Sequence, residues 1–163
     1  AAAGDKEAHM PRLFSFLSTE ESGRQGVEAY FHGQFLVLEA NGSKGQRVSV
    51  PFTRPFKLKR WTCVAVEYAP AAASSATAAA AASSSHGGGG EMRLYVDGIP
   101  AESRRVSLPT VKGSLGFCCV GTNPPAAMAG LQRRRRQCAL FGALGPVYIF
   151  QEAIGAARVA QLA

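Results

Sequence analysis

The chain has 163 residues, 47% hydrophobic and 18% charged, and its 18 Lys and Arg against 11 Asp and Glu give a formal net charge of +7. That length supports one core without metals or disulfides as staples. No apolar run approaches the ~18 residues that a helix needs to cross a bilayer, and no charged-then-apolar leader opens the sequence, which starts at Ala1 without Met and reads as a segment of a longer protein.

Residues 1–10 carry no apolar period and read as a loose tail, so a single domain is expected over residues 11–163. Short apolar segments then recur between turn signals: LFSFLS at 13–18, VEAYFH at 27–32, FLVLEA at 35–40 and RVSVPF at 47–52. WTCVAVEY at 61–68, EMRLYVDG at 91–98 and SLGFCCVG at 114–121 continue the series. Such spacing predicts an antiparallel all-β protein, a two-sheet jelly-roll sandwich of about 10 to 14 short strands. Alternation puts Val27, Ala29 and Phe31 on one face of their strand and Glu28, Tyr30 and His32 on the other. Asn41-Gly42-Ser43 matches a glycosylation acceptor, but its place between two strand-like runs favours a hairpin turn. Residues 70–90 are Ala, Ser and Gly with little to bury, and read as a low-complexity hairpin insertion whose removal leaves the fold intact. The closing stretch CALFGALGPVYIF predicts a bent strand holding Phe141, Leu144, Val147, Ile149 and Phe150, and the tail QEAIGAARVAQL a short C-terminal helix.

Chemistry is sparse. Cys63, Cys118, Cys119 and Cys138 have neither zinc-site spacing nor disulfide density, so buried free thiols and a reducing cytosolic location are expected. Glu20, Glu21, Glu28, Glu39, Glu67 and Asp97 are scattered rather than clustered as E-x-D-x-E, and read as surface or turn residues; no hydrolase is expected. Asp97 and Asn123 alone do not make a calcium site, and His9, His32 and His86 lack partners at nucleophile spacing; no metal, cofactor or catalytic group is expected. Tyr30 and His32 are candidates to join Arg93 and Tyr95 on a concave sheet suited to a sugar ring or a peptide strand, although a solvated face is the favoured reading of the same residues. Arg133, Arg134, Arg135 and Arg136 form the sharpest charge feature, readable as a solvated loop or a dock for acidic lipid or protein. Nucleic acid is disfavoured because no aromatics interleave with the basic residues.

The pattern G-x-x-G-P-V-Y-I-F followed by a short amphipathic turn resembles the closing strand of the concanavalin A-like domain of BEACH proteins of the neurobeachin type. The ordered segments R-W-T-C-V-A-V-E-Y, M-R-L-Y-V-D-G and SLGFCCVGTN resemble laminin-G-like jelly rolls, with Trp61 as a core residue opening its strand and Asp97-Gly98 as a turn. The resemblance implies a concanavalin A-like fold and a non-catalytic binding or scaffold module in vesicle and membrane trafficking, cytoplasmic and peripheral to intracellular membranes. Oligosaccharide, a protein or neighbouring domain, and an anionic membrane surface are the partners it leaves open. The alternative is a carbohydrate-binding lectin module of a secreted laminin-G-like protein.

Overall fold

The computed structural model describes residues 10–18, 25–71, 89–122, 140 and 142–163. Residues 72–88 of the 70–90 insertion, residues 1–9 of the tail, the four-arginine run, His9, Glu20, Glu21, His86, Asn123, Cys138 and Phe141 lie outside them. Eight strands are present among the described residues: β1 (Arg12–Ser18), β2 (Gly26–His32), β3 (Phe35–Asn41), β4 (Arg47–Pro55), β5 (Val64–Ala69), β6 (Gly90–Val96), β7 (Ile99–Val106) and β8 (Leu115–Val120), followed by the helix α1 (Ala156–Leu162). The expected class is present: an all-β chain with two antiparallel sheets and a short C-terminal helix. Among the described residues the strands number eight, against the 10 to 14 expected of the whole chain.

The chain divides into two compact units, Ala1–Leu58 with Pro109–Val147, and Lys59–Leu108 with Tyr148–Ala163. The first holds a five-stranded sheet in the order β4-β3-β2-β1-β8. β1 to β4 form a meander of consecutive strands, and β8 returns to pair with β1 through Phe14↔Val120 and Phe16↔Cys118. At the β2–β3 turn, His32 pairs with Phe35 and Gly33 has φ 62, the positive value that a type II′ hairpin requires of its first central residue. The Asn41-Gly42 hairpin is wider than a two-residue turn: Asn41 pairs with Arg47 around the 3₁₀ turn Ser43–Gly45.

Register sorts the side chains of this sheet. Val120, Phe14, Ala29, Leu38 and Val50 form one cross-strand row, and Cys119, Ser15, Glu28, Glu39 and Ser49 form a row of the opposite parity. Both faces are buried at the centre of the sheet, with Ala29 at 0% and Leu38 at 3% exposure on the first, and Ser15 at 0% and Glu39 at 5% on the second, while Ser49 at the β4 edge is exposed. The polar alternation in β2 therefore does not mark solvent, and Glu28, Glu39 and Glu67 are buried residues rather than the surface residues expected.

The second unit holds a three-stranded sheet in the order β5-β6-β7, with Met92, Leu94, Tyr95 and Val96 of β6 in its core and Val159 as the buried residue of α1. β6 and β7 are joined by the expected Asp97-Gly98 turn, with φ 51 and 75 and Val96 paired to Ile99, as a type I′ hairpin demands. β7 carried no sequence signal because IPAESRRV holds one proline and three charges. It forms a strand by pairing along the apolar β6, with a register shift between Leu94 and Tyr95.

Three expectations are corrected. Trp61 lies outside the core at 69% exposure, and β5 begins only at Val64. Residues 143–150 form no ladder; Pro146 has no N–H to give, and Leu144, Val147, Ile149 and Phe150 are 44%, 52%, 69% and 50% exposed. The described thiols are free but not buried: Cys118 is exposed, and Cys63 and Cys119 are half-buried.

Because Ala69 pairs with Glu91, the ends of the long connection between β5 and β6 are held together by the ladder itself. Replacing residues 72–88 with Ser-Gly is expected to preserve the ladder and to stabilise the fold by about 1 kcal/mol through the smaller closure entropy. Urea unfolding checks this; loss of a cooperative transition would mean that the deleted residues supply packing.

Candidate functional site

The residues with functional chemistry fall into two groups. Tyr30 and His32 stand on β2 of the five-stranded sheet, whereas Arg93 and Tyr95 stand on β6 of the three-stranded sheet, so the expected grouping on one sheet is replaced by two pairs. The error came from reading face by alternation, which fixes parity within a strand but not which sheet the strand joins.

In the first unit, Glu28 and Glu39 are directly opposed across β2 and β3, an arrangement that repels unless each charge is neutralised. Each has its own guanidinium. Arg12 Nη1 donates to Glu28 Oε1 at 2.5 Å, and Arg47 Nη2 donates to Glu39 Oε2 at 2.6 Å, which raises the Arg47 pKa above its ordinary value. The Ser15 hydroxyl donates to Glu28 at 2.9 Å and the Tyr30 hydroxyl to Glu39 at 3.3 Å, while Arg12 lies 6.0 Å from the Tyr30 ring centroid. Arg12 is 1% and Tyr30 7% exposed, so these groups serve one another; His32 is exposed at the strand end.

In the second unit, Glu67, Arg93 and Ser103 stand in one row across β5, β6 and β7. The Arg93 guanidinium is held from two sides: Nε donates to Glu91 Oε2 at 2.9 Å, Nη2 donates to the same carboxylate, and Nη1 reaches Glu67 Oε2 at 3.4 Å. Ser103 also donates to Glu91. Glu67 further accepts the Tyr95 hydroxyl at 2.9 Å and the Gly155 N–H at 2.6 Å, so one buried carboxylate ties β5 and β6 to the segment that enters α1. Burial disfavours its ionised form, but the Gly155 amide, the Tyr95 hydroxyl and Arg93 outweigh that cost and set its pKa below the ordinary glutamate value. Burial, then the bond to Glu67, pushes the Tyr95 phenol up. The Ser103 hydroxyl and Arg93 hold the Glu91 carboxyl down, and Glu91 in turn raises Arg93.

This row opens onto a shallow groove whose walls include Arg93, Tyr95, Pro100, Glu102, Ser103 and Ala156. Arg93 is 38% exposed there, a fixed cation with polar neighbours. Tyr95, at 1% exposure, offers no ring face for stacking. Along the groove, β7 is an edge strand, unpaired on its outer side among the described residues, and carries Arg104 and Arg105. Arg104 pairs with Glu102 at 2.8 Å. The described residues contain no cluster of three or more His, Cys, Asp or Glu able to hold a metal, and no helix long and apolar enough to cross a membrane.

Sequence reasoning found Arg93 and Tyr95 but passed over Glu67, Glu91 and Ser103. The available signal was a lone acid inside VAVEY facing a lone base inside EMRLYV, two apolar strands already read as partners, since such charges are buried only in pairs.

No family model matches the chain. The crystal structure of residues 221–444 of an S-layer domain-containing protein from Clostridium thermocellum aligns with a TM-score of 0.39 and 15% identity over 95% of this chain. The chain spans 63% of the length of that neighbour. A likeness at that level carries no functional assignment.

Glu67 sets a pH-dependent term. Its folded pKa lies below the unfolded value, so the stabilisation is present above about pH 4.3 and is lost as pH falls through the folded pKa. Glu67→Gln is expected to cost about 2 kcal/mol at pH 7, with the difference from wild type shrinking in acid as the native carboxyl protonates. Urea unfolding between pH 7 and pH 3 reads this, and a cost that does not change with pH would contradict the assignment.

Proposed function

We propose that this chain is a non-catalytic binding module that receives an extended, acidic segment of a protein or neighbouring domain along β7. The observation that carries the reading is the outer edge of β7, unpaired by any strand among the described residues, beside the Arg93 groove. An edge strand offers backbone donors and acceptors to an added strand, and alternate side chains of that strand read the neighbouring surface. Arg105, the arginine of β7 with no ion pair among the described residues, favours an acidic side chain in the incoming segment, whereas Arg104 and Arg93 are already paired with Glu102, Glu67 and Glu91. The pairing of Glu28, Glu39, Glu67 and Glu91 with arginines supports a structural rather than an acid–base role for these carboxylates.

The resemblance to concanavalin A-like domains of neurobeachin-type BEACH proteins extends the proposal. On that reading the module belongs to a trafficking scaffold, cytoplasmic and peripheral to intracellular membranes. The carbohydrate-binding reading, in a secreted laminin-G-like protein, has less support because Tyr30 and Tyr95 are 7% and 1% exposed and present no ring to a sugar.

A displayed library of linear peptides, screened beside a glycan array, tests the proposal. The expected result is acidic peptides that protect β7 amides from hydrogen exchange and bind about tenfold more weakly to Arg105→Glu. Glycan binding without peptide binding, or peptides indifferent to that change and protecting other strands, would overturn it.

A further inference from the structure

We infer that the end of the three-stranded sheet carrying Trp61 is a docking surface for an anionic lipid bilayer. It meets β7 only at Ile99 and does not depend on the peptide reading of that strand's edge. Trp61, the chain's one tryptophan, is 69% exposed, and Ile99, the first residue of β7, is 68% exposed. Both are held at this end by Asp97. Its carboxylate accepts from Arg60 Nη2 at 2.9 Å and from the Cys63 N–H at 3.0 Å, and its own N–H donates to the Cys63 carbonyl at 2.8 Å. Residues 60–63, which flank Trp61, are thereby pinned to the turn that launches Ile99. That turn is backed by α1, since a Cβ on Gly98 would stand 3.1 Å from Ala160 Cα.

Charge adjoins this apolar pair. Lys59 and Arg60 immediately precede Trp61, and no acidic residue occurs from Lys59 through Cys63. Lys59 has no ion pair among the described residues, and Arg60 shares its charge with Asp97, itself exposed. Tryptophan is favoured at the boundary between headgroups and acyl chains, where its ring is apolar and its N–H is wet. Lysines beside it are attracted to anionic headgroups. The exposed aliphatic Ile99 distinguishes this surface from a nucleic-acid site: stacking on bases uses rings, and Ile99 gains from hydrocarbon instead.

The test uses the whole chain and its own fluorophore. With vesicles of phosphatidylcholine and phosphatidylserine, Trp61 emission is expected to shift to the blue and to be quenched by brominated acyl chains. Pure phosphatidylcholine should produce neither effect, and added salt should weaken both. Lys59→Ser should lower vesicle affinity about fivefold. Trp61→Ser with Ile99→Ser should abolish co-sedimentation while circular dichroism stays unchanged. Changing Arg133, Arg134, Arg135 and Arg136 to Ser should leave the blue shift in place. An unshifted Trp61, vesicle binding lost only with the four-arginine change, or a response to oligonucleotides without one to vesicles would each overturn the inference.

Discussion

The second unit depends on one buried carboxylate. Glu67 gathers Arg93 and Tyr95 from β6 and the Gly155 amide ahead of α1, so a strand pair and the start of a helix are fixed by one group. Removing a carboxylate from water costs several kcal/mol, and that cost is recovered only when its lone pairs are occupied by well-placed donors. Three donors meet this one. The geometry of the adjoining groove follows, because Arg93 cannot rotate away without leaving Glu67 and Glu91 unpaired.

The five-stranded sheet uses the same device twice. Glu28 and Glu39 face each other across β2 and β3, and the two are compatible only because Arg12 and Arg47 neutralise them separately. Both faces of that sheet are buried, so alternation there separates an apolar row from a paired polar row rather than core from solvent. Buried pairs contribute more to the uniqueness of a register than to net stability: a one-residue slip of β2 would move both Glu28 and Tyr30 to the apolar face.

Seven of the eight strands and the terminal helix were legible, because period-2 apolar segments between turn signals carry that information locally. The Asp97-Gly98 turn was legible for the same reason. β7 was not, since its charged side chains are tolerated only by its position at an edge and by pairing with β6. Trp61 was misplaced because a tryptophan before an apolar run looks like core, while its exposure follows from Asp97 holding Arg60 and Cys63 from 34 residues or more away. The candidate site was half legible: composition singled out Arg93 and Tyr95, but the carboxylates that position them lie on strands whose register no local pattern gives.

The β7 edge and the apolar end that bears Trp61 share a rigid origin, the sheet that Glu67 and Asp97 tie together. A double-mutant cycle of Glu67→Gln and Arg93→Met, followed by urea unfolding at neutral pH, tests that origin most directly. A coupling of about 1 to 3 kcal/mol is expected if the pair acts as one unit. Additive effects would contradict the account, because Glu67 would then be buried without depending on Arg93.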